Sequence, residues 1–168
     1  VLMGRFFLYL KDFVAHDIVS MRGGVKDNVI PKNASATFLV AEDDIERLQQ
    51  AVLDFNAILL VEYRAADPDI ALELEVREMA ECRVLTASSK EKVLTTLNLM
   101  PNGVQTMSQD LEGLVETSLN LGVFEIDGEA MKASFALRSS LETAKDYLAS
   151  RLAQMTEILG GSIGYHGR

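Results

Sequence analysis

The sequence contains few of the residues that most often build catalytic centres, and it has no long apolar segment. Among its 168 residues are one cysteine, two histidines and no tryptophan. The single cysteine, Cys82, cannot form an internal disulfide, so nothing requires an oxidising compartment. No run approaches the roughly 18 consecutive apolar residues of a membrane-spanning helix, and the first residues lack the layout of a signal peptide. We therefore expect a cytoplasmic protein without a membrane partner.

Positive charge is also scarce, because 16 basic residues stand against 25 acidic ones and the formal net charge is −9. Nucleic-acid binding needs a concentrated basic surface, so this balance argues against a nucleic-acid partner. The 48% hydrophobic and 24% charged content is typical of a folded globular chain. Its length fits one domain of ordinary size or two very small ones.

The residue types that build a catalytic centre are missing from this chain or scattered along it. A catalytic zinc needs about three protein ligands, whereas the only histidines are His16 and His166 and no HExxH pair occurs. The sequence contains no G-x-S-x-G nucleophile motif and no glycine-rich phosphate-binding loop. We therefore predict no catalytic residue and no metal site within this chain.

Apolar periodicity predicts the elements of the first half. An opening helix is expected to run to about Ala15, and a capping box of Asp43 and Glu46 predicts a second helix that ends near Ala66. Strands are expected at residues 17–21, 33–40 and 70–79. Because the last of these has one polar face, it indicates an open antiparallel sheet.

The second half is predicted to repeat this order of elements. Capping boxes that begin at Ser88 and Ser139 predict two helices, and strands are expected at residues 114–126, 131–137 and 162–165. The predicted fold is α+β, a mainly antiparallel sheet with helices packed on one face. The repeated order is compatible with an α-β plait duplicated between residues 1–80 and 84–168, within one domain of residues 1–168.

Three polar residues lie where folding gives no obvious reason for them. Arg138 ends a strand, Asn28 lies in a loop, and Asn120 falls inside a strand, where asparagine is unfavourable. Guanidinium and carboxamide groups suit the recognition of a carboxylate. Each residue also has a purely structural explanation: a surface ion pair for Arg138, a turn for Asn28 and a bulge for Asn120. The residues alone do not decide between the structural and the functional explanation.

Four blocks that include these residues resemble the Xaa-His dipeptidases, which are also called aminoacyl-histidine or cytosolic nonspecific dipeptidases and belong to a group of zinc-dependent metallopeptidases. The blocks keep their order and lie at residues 23–31 (GGVKDNVIP), 101–108 (PNGVQTMS), 114–122 (LVETSLNLG) and 137–140 (LRSS). The resemblance covers the chain from about residue 16 to its end.

The resemblance implies that the chain is the lid, or dimerisation, domain of such an enzyme. It implies a two-zinc site in a separate catalytic domain of the same polypeptide, where metal-activated water attacks a dipeptide substrate, and no metal bound by this chain. Asn28 and Arg138 match lid positions that hold the terminal carboxylate of the substrate, with Asn120 and His166 as further candidates. The family's Gly-Gly-His-Ser-Gly motif is absent from this sequence.

The chain begins at Val1 in helix-like sequence and has no polar tail, so we expect a domain cut from a longer protein, the alternative being a processed whole chain. Because the resemblance assigns the metal ligands to another domain, we expect this chain to be inactive alone. Two other hypotheses remain open at this point. One is a stand-alone amino-acid-binding α/β module, and the other is an oligomerisation domain without substrate contact. A homodimer formed through the lid is compatible with the resemblance.

Overall fold

A computed structural model describes residues 1–79 and 81–167 of the chain. These residues form an α+β fold, which confirms the predicted class. The helices are α1 (Leu2–Leu10), α2 (Ile45–Tyr63), α3 (Ala87–Leu99) and α4 (Glu142–Ile158), with a short 3-10 turn at Glu42–Asp44. The strands are β1 (Asp17–Gly23), β2 (Ala34–Leu39), β3 (Gly103–Met107), β4 (Val115–Asp127) and β5 (Ala130–Ser139).

The strands form one five-stranded sheet in which β4 has three partners. The order is β2-β1-β4-β3, and β5 also pairs with β4. Antiparallel β5 follows β4 along almost its whole length, whereas β3 pairs with residues 115–119 and β1 with residues 124–125. The second edge of β4 is therefore shared by two strands, and its partner changes near residues 120–122.

A β-bulge at Gly122 marks the same place. Leu121 pairs with Phe135 and Val123 pairs with Ser134, so Gly122 is the extra residue in β4. The buried positions of β4 change parity there, from Leu119 and Leu121 to Phe124 and Ile126. The bulge thus keeps the apolar side chains of a long strand on one face of the sheet.

Contacts divide the chain into two compact units, of which the first contains residues 1–20 and 36–94. Its core is aromatic: Phe6 packs edge-to-face on Phe55 at 5.4 Å between ring centroids, and Phe7 packs on Phe38 at 5.1 Å. Apolar residues of α1 and α2 complete this core (Leu10, Leu48, Val52, Leu59).

The second unit contains residues 21–35 and 95–168. Leu148 and Leu152 of α4 pack with Leu119 of β4, and half-buried Phe135 and Leu137 of β5 lie against them. In a strand, alternate side chains point to opposite faces. Helix α4 therefore covers one face of the β4–β5 pair, as the predicted architecture required.

The predicted strand at residues 70–79 is wrong, because none of these residues belongs to a strand. The alternation that predicted the strand does appear in the burial of the side chains, since Ile70, Leu72 and Leu74 are half-buried and their neighbours are exposed. The backbone of Leu72, however, pairs with a side chain: Asn56 of α2 accepts from its N–H at 2.7 Å and donates to its carbonyl at 2.8 Å. The predicted strand at residues 162–165 is also wrong, whereas β3 was not predicted.

Helix ends also differ from the predictions. Helix α1 ends at Leu10 rather than near Ala15, and α2 ends at Tyr63 rather than near Ala66. No side-chain cap hydrogen bond begins α2 or α4. Among the helices described, none is both long enough and apolar enough to cross a membrane.

Candidate functional site

The loop of residues 24–33, here called the crossing loop, passes directly over strand β4. Gly24 has a positive φ of 75°, and a Cβ on it would lie 1.8 Å from the carbonyl oxygen of Gly122. A Cβ on Gly122 would in turn lie 2.2 Å from the carbonyl oxygen of Asp27. Both positions need glycine because the two backbones approach too closely for any side chain.

Asn120 of β4 holds this loop in place. Its side-chain nitrogen donates to the carbonyl oxygens of Asp27 and Val29, each at 2.9 Å. These two carbonyls flank Asn28, whose own N–H donates to the Asp27 carboxylate at 2.8 Å. The backbone on both sides of Asn28 is therefore fixed, while its side chain is exposed.

Asn102 supplies a hydrogen-bond partner to the edge of β4 at the point where the neighbouring strand changes from β3 to β1. Its side-chain oxygen accepts from the backbone N–H of Leu121 at 2.7 Å. This residue was missed as a site residue from the sequence, although it lies in one of the four resembling blocks. A side chain that replaces a missing strand partner leaves no periodic signal in the sequence.

The register of β4 and β5 places Arg138 on the same sheet face as Asn120. Ser118 pairs with Arg138 and Asn120 pairs with Ala136, and directly opposed residues share a face. Leu119 points to the other face, which α4 covers. Arg138 is exposed, and its side chain makes no hydrogen bond or ion pair with the other residues that the structure describes.

His166 also reaches the crossing loop. Its Nε2 lies 3.3 Å from Oδ2 of Asp27, and both side chains are substantially exposed. Asp27 therefore joins His166 to the backbone of Asn28. Sequence reasoning also missed Asp27, whose position in the first resembling block was the only available signal.

The structure thus gathers Asn28, Asn120 and His166 at one loop and places Arg138 on the adjoining sheet face. The arrangement offers donors for an anion: the guanidinium of Arg138, the exposed carboxamide of Asn28 and the imidazole of His166. It contains no nucleophile with a neighbouring base. Within residues 1–79 and 81–167, no group of three or more His, Cys, Asp or Glu residues is arranged to hold a metal ion, so these residues do not fit the zinc site that the resemblance implies for the enzyme.

The first unit contains a separate open cavity of about 420 Å³. His16, Asp17, Asp44 and Lys90 contribute its polar lining, and the ammonium group of Lys90 donates to the His16 carbonyl. Burial lowers the pKa of Lys90 below its ordinary value, although the nearby charge of Asp17 raises it. None of the four predicted site residues lines this cavity.

No family model matches the sequence. The chain is 32% identical over 143 residues, 85% of its length, to the cytosol non-specific dipeptidase of Escherichia coli. It also matches a crystal structure of aminoacylhistidine dipeptidase from Vibrio alginolyticus, with a TM-score of 0.90, 28% identity and 99% of this chain covered. These matches confirm the resemblance that the sequence motifs predicted.

The chain spans only part of each of these proteins, 29% of the length of the first and 34% of the second.

Proposed function

Because this chain is a homologue of part of the aminoacylhistidine and cytosol nonspecific dipeptidases, we propose that it is the lid domain of a zinc-dependent dipeptidase. The enzyme acts on Xaa-His and other unblocked dipeptides, and the chain alone is inactive. The zinc ions and the groups that activate water belong to the rest of the enzyme. The proposed location is the cytoplasm, in line with the name of the Escherichia coli relative.

The lid binds the terminal carboxylate of the dipeptide through Arg138 and Asn28. The observation that carries this proposal is the register of β4 and β5, which puts Arg138 on the face of the sheet that α4 leaves uncovered. A guanidinium binds a carboxylate with two parallel hydrogen bonds. The exposed carboxamide of Asn28, on the crossing loop anchored by Asn120 of the same face, supplies a neutral donor.

Closure of the lid contributes to the rate without any chemical group of its own. A domain that binds the substrate carboxylate fixes the position of the scissile bond and excludes bulk water. The partners of the chain are therefore the dipeptide and the catalytic domain of the same polypeptide. Pairing of two lids in a homodimer is a further part of the proposal.

The test compares two arginine substitutions in the full-length enzyme that contains this chain. Arg138→Ala is expected to lower kcat/KM for an Xaa-His dipeptide, while Arg151→Ala removes the same charge from the exposed side of α4 and leaves kcat/KM unchanged. Equal kcat/KM values for Arg138→Ala and wild type would rule out the proposed role of Arg138.

A further inference from the structure

Asn120 was expected to touch the substrate, but its contacts indicate another role. A carboxamide nitrogen has two hydrogens to donate. In this structure that nitrogen bonds two carbonyls of the crossing loop, those of Asp27 and Val29, both at 2.9 Å. The side chain is half-buried, and its donors are directed at the loop and not at solvent.

We infer that Asn120 is a positioning residue, which acts on the substrate through Asn28 and does not itself contact it. This inference rests on the proposed function. The two carbonyls that Asn120 binds come one residue before and one residue after Asn28, so the clamp fixes the backbone from which that side chain projects.

The neighbouring glycines permit a close approach of the loop to the strand but do not restrain the loop. Gly24 and Gly122 let the crossing loop approach β4 to backbone contact, but glycine has the greatest conformational freedom of any residue. Other hydrogen bonds in the loop are local or long, such as Gly24 N–H to Asn33 O and Val29 N–H to Lys26 O, both 3.3 Å. Asn120 supplies the short bonds between the loop and the sheet.

The structure contains a matched control for this clamp. Asn56 also uses its carboxamide to hold a backbone segment, since it bonds both the N–H and the carbonyl of Leu72. Asn56→Ala therefore removes two side-chain-to-backbone hydrogen bonds from the other compact unit. It corrects for any general loss of stability that Asn120→Ala causes.

The first measurement is hydrogen exchange by mass spectrometry on the full-length enzyme without substrate. Asn120→Ala and the shape-matched Asn120→Asp are both expected to accelerate exchange at residues 24–33 by about tenfold, the effect of losing one or two neutral hydrogen bonds. Asn56→Ala should leave that segment unchanged. Unaltered exchange at residues 24–33 in the Asn120 variants would overturn the inference, whatever their activity.

The second measurement is a double-mutant cycle in kcat/KM with an Xaa-His dipeptide. If Asn120 acts through Asn28, the double variant with Asn28→Ala and Asn120→Ala loses no more activity than Asn28→Ala alone. Additive losses would mean that Asn120 meets the substrate independently, which overturns the inference and leaves the proposed function standing.

The kcat/KM values of the single variants show separately whether the proposed function itself fails. If Asn28→Ala and Arg138→Ala both retain wild-type kcat/KM, then the carboxylate is bound elsewhere and the link from Asn120 to the substrate fails too. Hydrogen exchange still decides separately whether Asn120 holds the crossing loop, because that measurement requires no substrate.

Discussion

His16 is buried against aromatic rings, and one of its ring nitrogens has no hydrogen-bond partner. Phe7 and Phe38 lie at 5.3 and 6.1 Å between ring centroids. Nδ1 bonds the Val14 carbonyl at 2.9 Å, whereas Nε2 is enclosed and unpartnered. An imidazolium would bury an unpaired charge at this nitrogen, so the folded chain favours the neutral ring.

This environment predicts a loss of stability in mild acid. Burial lowers the pKa of His16 and the charge of Lys90 lowers it further, against the raising effects of the Val14 carbonyl and of Asp17. The unfolded chain takes up the proton near pH 6.5, while the folded chain takes it up only at lower pH. The free energy of unfolding should therefore fall as the pH is lowered through 6.5.

Urea unfolding at pH 7.5 and pH 5.5 would measure this effect. We expect His16→Phe to reduce the difference in unfolding free energy between the two pH values, because the variant has no group to protonate there. A difference of equal size in wild type and His16→Phe would contradict the assignment.

The backbone crossing at Gly122 gives a second prediction at this scale. Gly122→Ala would place a Cβ 2.2 Å from the Asp27 carbonyl, so the crossing loop must move. We expect a loss of roughly 1–3 kcal/mol in the free energy of unfolding, the usual cost of overpacking. Gly164→Ala, whose Cβ would meet nothing within 4 Å, is the control and should behave as wild type.

Single-residue roles could be predicted from the sequence only in part. Asparagine in a strand marked Asn120 as unusual, and the bulge that was one explanation for it occurs two residues later, at Gly122. The two carbonyls that Asn120 binds lie 93 and 91 residues away in the sequence, so no local pattern could identify them. Asn28 and Arg138 were singled out by residue type, whereas Asp27 and Asn102 act through backbone contacts that residue type does not reveal.

Among the elements, α4 gives the second compact unit its core. Leu148 is 3% exposed and packs with Leu119 and Leu152, whereas Ile158 on the same helix is 76% exposed. Leu148→Ala should lower the free energy of unfolding by about 2–5 kcal/mol through the cavity it leaves. Ile158→Ala should change it little, and a larger effect from Ile158 than from Leu148 would mean that α4 presents a different face to the sheet.

At the start of α3, the structure and the sequence pattern assign the helix cap to different residues, Thr86 and Ser88. Thr86 Oγ1 accepts from the N–H of Ser89 at 3.1 Å, which is a side-chain cap, whereas the sequence pattern predicted that Ser88 caps the helix. Thr86→Ala should cost about 1 kcal/mol of unfolding free energy. Ser88→Ala should be nearly neutral, and the reverse order in thermal or urea unfolding would support the sequence pattern instead.

Elements with a strong apolar period were predicted well, and those defined by their partners were not. Strand β4 was expected at residues 114–126 and lies at Val115–Asp127. Alternation at residues 70–79 reports only which side chains are half-buried. It does not show that Asn56, rather than a strand, pairs with the backbone of Leu72.

At the scale of the whole molecule, the activity of the proposed enzyme depends on which ligand binds the face of the β4–β5 pair that α4 leaves uncovered. Arg138 shares that face with Asn120, which anchors the crossing loop through the carbonyls on either side of Asn28. A guanidinium without an ion-pair partner in the described chain is suited to an anion from outside. We therefore propose that Arg138 recognises the carboxylate of a dipeptide.

The most direct measurement compares kcat/KM for an Xaa-His dipeptide and for its C-terminal amide, in the full-length enzyme and in its Arg138→Ala variant. We predict a loss of roughly 30- to 1,000-fold on the free acid, equivalent to about 2–4 kcal/mol of transition-state stabilisation, and little change on the amide. Equal losses on both substrates, or no loss on either, would contradict carboxylate recognition by Arg138.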